Sequence, residues 1–233
     1  MENEITIKNW FRSGWGIYKE NKVDLIIIAL GMQIISLLPV FIKSTSFNSL
    51  YLLFNIFLFP IFYVGISFFV LGIVRQDKNN NYASILDPFK RYFRVLGVSF
   101  LYGILILVGT VLLVIPGIYF AVKYCLYIYA LMDDNKNEYS SLKYSALLTQ
   151  GYKIKIFIFS LLALILTAPG SIFSISLSFP NASSFMVLLP FYLVTIFIIS
   201  PWLIATSAVM YFQLSKKFRT EVQQEAVSSP EST

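Results

Sequence analysis

The chain has 233 residues, 57% of them hydrophobic, 17% aromatic and only 13% charged, with a formal net charge of +6. A soluble domain carries about 25% charged residues because its surface faces water, so this composition excludes a water-soluble globule and assigns the apolar faces to lipid. His is absent and Cys125 is the only cysteine, which excludes an internal disulfide, a Cys–His nucleophile and a His- or multi-Cys zinc site.

In chain order, the start Met1-Glu-Asn-Glu-Ile-Thr-Ile-Lys8 lacks the basic n-region and short apolar core of a cleavable signal peptide. Over residues 7–19, Ile7, Trp10, Phe11, Trp15, Ile17 and Tyr18 fall mainly on one helical face. Lys8, Arg12 and Lys19 fall mainly on the other, the pattern of a helix lying on an interface with anionic lipid. Apolar runs follow at 23–42 and 50–74. Asp87-Pro88 reads as an N-cap and first-turn proline opening a second amphipathic helix.

The apolar run 95–132 is too long for one crossing, since about 20 helical residues span the hydrocarbon core. Pro116 and Gly117 lie inside it. Proline lacks the N–H a helix interior needs and glycine readily turns, so these two residues predict an outer turn between spans 95–115 and 117–132. The second of these is short, about 24 Å by helical rise. A third amphipathic segment, 139–152, carries its stripe on Tyr144, Leu147, Leu148, Gly151 and Tyr152, and spans 156–179 and 185–212 complete the set.

The fold expected is therefore all-α: a polytopic bundle of six transmembrane helices, one integral membrane domain over 1–220, with amphipathic interfacial helices on the cytoplasmic side. Residues 221–233 read as a disordered cytoplasmic tail. Charge agrees with six spans, because all of the 18 Lys and Arg except Lys43 and Lys123 then lie on one side. By the positive-inside rule that side is the cytoplasm, and both termini are on it. The basic residues are dispersed between apolar runs and not gathered in a stripe, which argues against a nucleic-acid partner. The partners expected are the bilayer, anionic lipids at the cytoplasmic face, and a homo-oligomeric or other membrane-protein partner. Three similar strings, at Pro39, at Pro116-Gly117 and at Pro169-Gly170, suggest a parallel repeat of helical hairpins whose odd-numbered spans each end at a proline.

Candidate functional residues are few. Lys123 is the only ionisable residue well inside a span, which makes it a functional candidate by default. No carboxylate lies at its depth, so its ammonium is expected to snorkel outward, to meet a carbonyl near Pro116, or to bind a lipid phosphate. Gln33 and Asn55 are the other large polar groups in spans, and a Gln33–Asn55 pair would bridge the first two helices. The acidic residues sit beside Lys or Arg and form no acid–base pair, so no catalytic residue, metal site or cofactor is expected.

Leu113-Val-Ile-Pro-Gly-Ile-Tyr119, Ala130-Leu-Met-Asp133 and Ser141-Leu-Lys-Tyr-Ser145-Ala-Leu-Leu-Thr149-Gln-Gly151 together form a recognisable pattern. This stretch resembles the YciC-like family of uncharacterised bacterial inner-membrane proteins and the related membrane domain of some glycerophosphodiester phosphodiesterases. The resemblance covers about 40 residues and implies a bacterial plasma membrane but no established chemistry; the soluble catalytic domain of those phosphodiesterases has no counterpart here. The reading expected is a non-enzymatic membrane protein associated with lipid or organising the membrane. The alternative is a small-solute transporter or a transporter subunit.

Overall fold

The computed structural model describes residues 5–37, 56–133, 138–176 and 182–228. Among them there is no β-strand. Asn55, Pro39 and parts of the runs 23–42, 50–74 and 156–179 lie outside the described residues. Four helices are long and apolar enough to cross a membrane: Tyr82–Leu112, Val114–Met132, Lys153–Phe173 and Leu188–Gln224. Phe59–Arg75 is apolar but shorter.

Helix α1 (Ile7–Glu20) starts at Thr6, whose hydroxyl accepts the Asn9 N–H at 3.3 Å. Its aromatic face does not await lipid, because Trp10, Gly14 and Tyr18 are buried. They pack on α10 (Ser200–Ser228), where a Cβ on Gly14 would come within 2.1 Å of the Thr206 hydroxyl oxygen. Trp202 donates its indole N–H to the Phe11 carbonyl at 3.1 Å, and the Tyr18 hydroxyl donates to the Phe197 carbonyl at 2.9 Å. Of the two roles open to an amphipathic face, lipid interface or packing on the bundle, these residues take the second, while Trp15 stays 36% exposed. Helix α2 (Lys22–Leu37) follows directly, and α3 (Phe59–Arg75) ends at Gln76, which takes the left-handed conformation.

The segment Tyr82–Arg91 is a 3₁₀ helix capped by the Asn81 side chain, which accepts the Ser84 N–H at 3.2 Å. Asp87 is thus not the N-cap expected of it, and Pro88 lies buried inside the segment. The 3₁₀ turn brings residues three apart into line, and Asp87 pairs with Lys90 at 2.7 Å. The Ile85 carbonyl of this segment packs directly against Gly65 of α3, where any Cβ would meet it at 2.0 Å.

Helices α4 (Tyr92–Leu112) and α5 (Val114–Tyr124) form a tight antiparallel hairpin. They part at Leu113, whose φ of −164° and ψ of 144° are extended, and not at Pro116–Gly117. Pro116 occupies the first turn of α5, where backbone N–H groups have no partner within the helix and a missing one costs nothing. Gly117 packs against α4: a Cβ there would lie 2.2 Å from the Thr110 hydroxyl oxygen and 2.9 Å from the Thr110 nitrogen. The helical path breaks again at Cys125 and Leu126 before α6 (Tyr127–Asp133).

Helix α7 (Glu138–Leu148) folds back along α6. Its buried face carries Ser141, Leu142, Tyr144, Ser145, Leu148 and Thr149, whereas Leu147, expected in the apolar stripe, is exposed. Helix α8 (Lys153–Ser176) runs straight through Pro169, so the third proline string does not end its helix as the repeat requires. Helix α9 (Ala182–Val194) passes through a π turn (Thr195–Ile199) into α10. That last helix continues to Ser228, through residues 221–228 of the expected disordered tail, with Lys217 and Glu221 paired one turn apart at 3.6 Å.

The main core gathers Trp10, Leu25, Leu71, Leu126, Ile156 and Tyr211. The hairpin tip, by contrast, turns Val111 and Ile115 outward at 78% and 79% exposure. A tip of this kind suits a hydrocarbon solvent and not water.

Candidate functional site

The site is built around the interruption in the helical path at Cys125 and Leu126. A break of this kind frees a carbonyl and an N–H that must find other partners when buried. Helix α7 supplies them. The Lys123 carbonyl accepts hydrogen bonds from the hydroxyls of Thr149, at 3.0 Å, and Ser145, at 3.3 Å. The Ser145 oxygen in turn accepts the Leu126 N–H at 3.1 Å. Both side chains have no exposed surface. One serine thus satisfies both sides of the break, because a hydroxyl donates and accepts at once.

This clasp fixes the next turn. Tyr152 donates its N–H to the Thr149 carbonyl at 3.0 Å, and Gly151 adopts φ of +81°, which glycine takes without steric cost. The chain then enters α8 at Lys153, beside the residue that the clasp holds. The Lys123 ammonium lies 5.7 Å from the Tyr119 ring centroid and 5.1 Å from that of Tyr124. Lys153 also approaches Tyr119, 4.6 Å from the ring centroid, and donates to its hydroxyl at 2.9 Å. Two ammonium groups therefore share one phenol.

Lys123 is about 15 Å along the helix from Leu113, and its ammonium faces two aromatic rings. It shares its ring with Lys153, a member of the basic stretch at the opposite end of the span. Gln33 and Lys123 do not share a cavity in which a solute would bind between them. The Gln33 side chain lies beside the Tyr192 hydroxyl, within the cluster of Phe173, Tyr192 and Ile196, and Lys123 faces Tyr119 and Tyr124. Asn55 lies outside the described residues.

A second Lys–Tyr group adjoins the first. Lys217 of α10 donates to the Tyr152 hydroxyl at 2.7 Å, and Lys155 lies 5.5 Å from the Tyr152 ring while donating to the Ile5 carbonyl at 2.8 Å. The hydrogen bond to Tyr152 raises the pKa of Lys217, which lies beyond the apolar part of its helix, above the usual lysine range. A separate cleft of about 560 Å³ opens where α1, α2, α3 and the 3₁₀ helix meet. Glu20, Asp24, Asp77 and Asn80 line it, and Tyr82 donates to Asp24, whose carboxylate raises the pKa of the phenol.

Sequence reasoning missed the serine–threonine clasp and both Lys–Tyr groups. The four-residue spacing of Ser141, Ser145 and Thr149 was the available signal, since it puts three hydroxyls on one helical face. Nothing local signals that Tyr119 and Lys153 meet. Comparison with protein-family profiles, with curated proteins and with solved structures found no match to this chain.

Proposed function

We propose that this chain is a non-enzymatic, six-span protein of a bacterial inner membrane that associates with anionic lipid, its termini and its Lys–Tyr groups at the cytoplasmic face. The observation that carries this reading is the pairing of Lys123 and Lys153 on Tyr119 with no acidic side chain among the described residues bridging to either. Ammonium groups held at the edge of an apolar bundle call for an anion, and in a membrane the abundant anion is the lipid phosphate. The one-sided distribution of Lys and Arg supports the orientation. The resemblance to the YciC-like family belongs to the same proposal: its Ser145–Thr149 string forms the clasp that holds the backbone of Lys123.

The transporter reading has one observation in its favour, the interrupted helices at Cys125–Leu126 and Thr195–Ile199. Substrate sites of that kind leave backbone groups open to the solute. Here the Lys123 and Phe197 carbonyls are already engaged by Thr149, Ser145 and Tyr18, so lipid association is the stronger reading.

The test is lipid mass spectrometry on protein purified in mild detergent. Lys123→Met keeps the stem and removes the charge. It is expected to leave the melting temperature unchanged and to lower retained anionic lipid about fivefold, the equivalent of about 1 kcal/mol for one lysine at an anionic surface. An unchanged lipid complement would overturn the proposal.

A further inference from the structure

The two Lys–Tyr groups are neighbours along the chain, and their chemistry specifies more than a negative charge. Tyr152 and Lys153 are consecutive residues, one in each group, so the backbone at the start of α8 brings the Tyr119 group and the Tyr152 group close together. Lys123 and Lys153 attend Tyr119, and Lys155 and Lys217 attend Tyr152. Against these four cations the only carboxylate paired among the described residues is Glu221, at 3.6 Å from Lys217 on an exposed face.

Each ring also has a fixed polarity. The Tyr119 oxygen accepts a hydrogen from Lys153, and the Tyr152 oxygen accepts one from Lys217. An ammonium has no lone pair to give back, so each phenol keeps its own O–H hydrogen to donate elsewhere. What the surface offers outward is therefore ammonium and phenol donors. One phosphodiester neutralises one charge and takes the donors of one group, leaving the other group uncompensated.

From this geometry we infer that the two groups together form a binding site for a lipid whose headgroup carries two phosphates, one phosphate at Tyr119 with Lys123 and Lys153 and the other at Tyr152 with Lys155 and Lys217. The inference rests on the lipid-association reading and adds the class of headgroup. A lipid, and not a soluble diphosphate, is the occupant because the cations are interleaved with outward apolar side chains. Ile154, between Lys153 and Lys155, is 76% exposed, and Ile118, beside Tyr119, is 41% exposed. These give acyl chains a surface within one residue of the phosphate donors.

Native mass spectrometry on the full chain, titrated with a diphosphatidyl lipid or with phosphatidylglycerol, tests this. The diphosphatidyl lipid is expected to bind about tenfold tighter, the gain from engaging a second charged group. The double variant Tyr119→Phe, Tyr152→Phe keeps both rings and their packing but removes both phenol donors. It is expected to melt with the wild type and to lose most of that preference. Equal affinity for the two lipids, or a preference that survives the double variant, overturns the headgroup inference and leaves lipid association standing. Displacement of the bound diphosphatidyl lipid by equimolar inorganic pyrophosphate overturns the choice of a lipid occupant. If the wild type retains neither lipid, lipid association itself fails and the headgroup inference with it.

Discussion

The two ends of α5 were built from the same apolar stretch, yet they are held in opposite ways. At the Leu113 end the hairpin closes on glycine: Gly109 and Gly117 allow the backbones of α4 and α5 to approach closely, and Val111 and Ile115 face outward. At the Lys123 end the helix breaks, and buried hydroxyls from a third helix close the gap. On the membrane reading proposed above, an apolar solvent explains the contrast. Lipid offers no hydrophobic gain for bringing two apolar helices together, so close approach of small residues has to do it. It also offers no water for a freed backbone group, so the hydroxyls must be supplied by the protein.

The sharpest way to break the comparison is to ask on which side each end lies. In a Cys125→Ser background, single cysteines replacing Lys123 and Lys153 are expected to react with an impermeant maleimide from one and the same side of sealed vesicles. A cysteine replacing Ile115 is expected to react only from the other. Labelling of positions 123 and 115 from a common side would show that α5 does not run between two faces.

The next largest effect belongs to the glycine end. Gly117→Leu forces a Cβ to within 2.9 Å of the Thr110 backbone nitrogen, which has no freedom to move aside. Overpacking of that kind is expected to cost about 3 kcal/mol, read as a lower unfolding midpoint in detergent. A wild-type midpoint would mean that glycine contact does not hold the hairpin.

The hydroxyl end is expected to be somewhat less sensitive. Replacing Ser145 with Ala and Thr149 with Val keeps volume roughly constant but strips the partners from the Lys123 carbonyl and the Leu126 N–H. Buried hydrogen bonds in membrane proteins are worth about 0.6 to 2 kcal/mol each, so a loss of about 2 kcal/mol is expected. Faster hydrogen exchange at Leu126 should accompany it, and protection equal to wild type would show that the clasp is dispensable.

Pro116→Ala should change least. The proline sits in a first turn that needs no N–H, so only its effect on the unfolded chain is lost, about 1 kcal/mol or less. A cost as large as that of Gly117→Leu would return the turn to Pro116.

Much of the architecture was legible in the residues. Hydropathy announced long apolar helices, and the length of the run 95–132 required a break, which fell within three residues of Pro116. The exact point was not legible, because proline and glycine were both read as turn formers. In the folded chain the proline begins a helix and the glycine lets another helix approach, and Leu113 turns without any special residue. The amphipathic face of α7 was misread for a related reason. Its buried side keeps Tyr144 and Leu148 of the expected stripe but turns Leu147 out and takes in the hydroxyls of Ser141, Ser145 and Thr149, two of which serve a break on another helix. Helix 221–228 was missed because a polar composition was taken to mean disorder, although this segment continues a helix already started and pairs with it at Lys217.

What the sequence alone determined is that the chain is all-helical with helices long and apolar enough to cross a membrane, since this depends on sums along the chain: apolar length against bilayer thickness. What only the tertiary structure decided is who meets whom. Lys123 was visible as an isolated charge, but its companion is Lys153, which reaches Tyr119 across 34 residues of chain. No local periodicity encodes that distance, because the meeting depends on two helical breaks, a buried pair of hydroxyls and a left-handed glycine acting together.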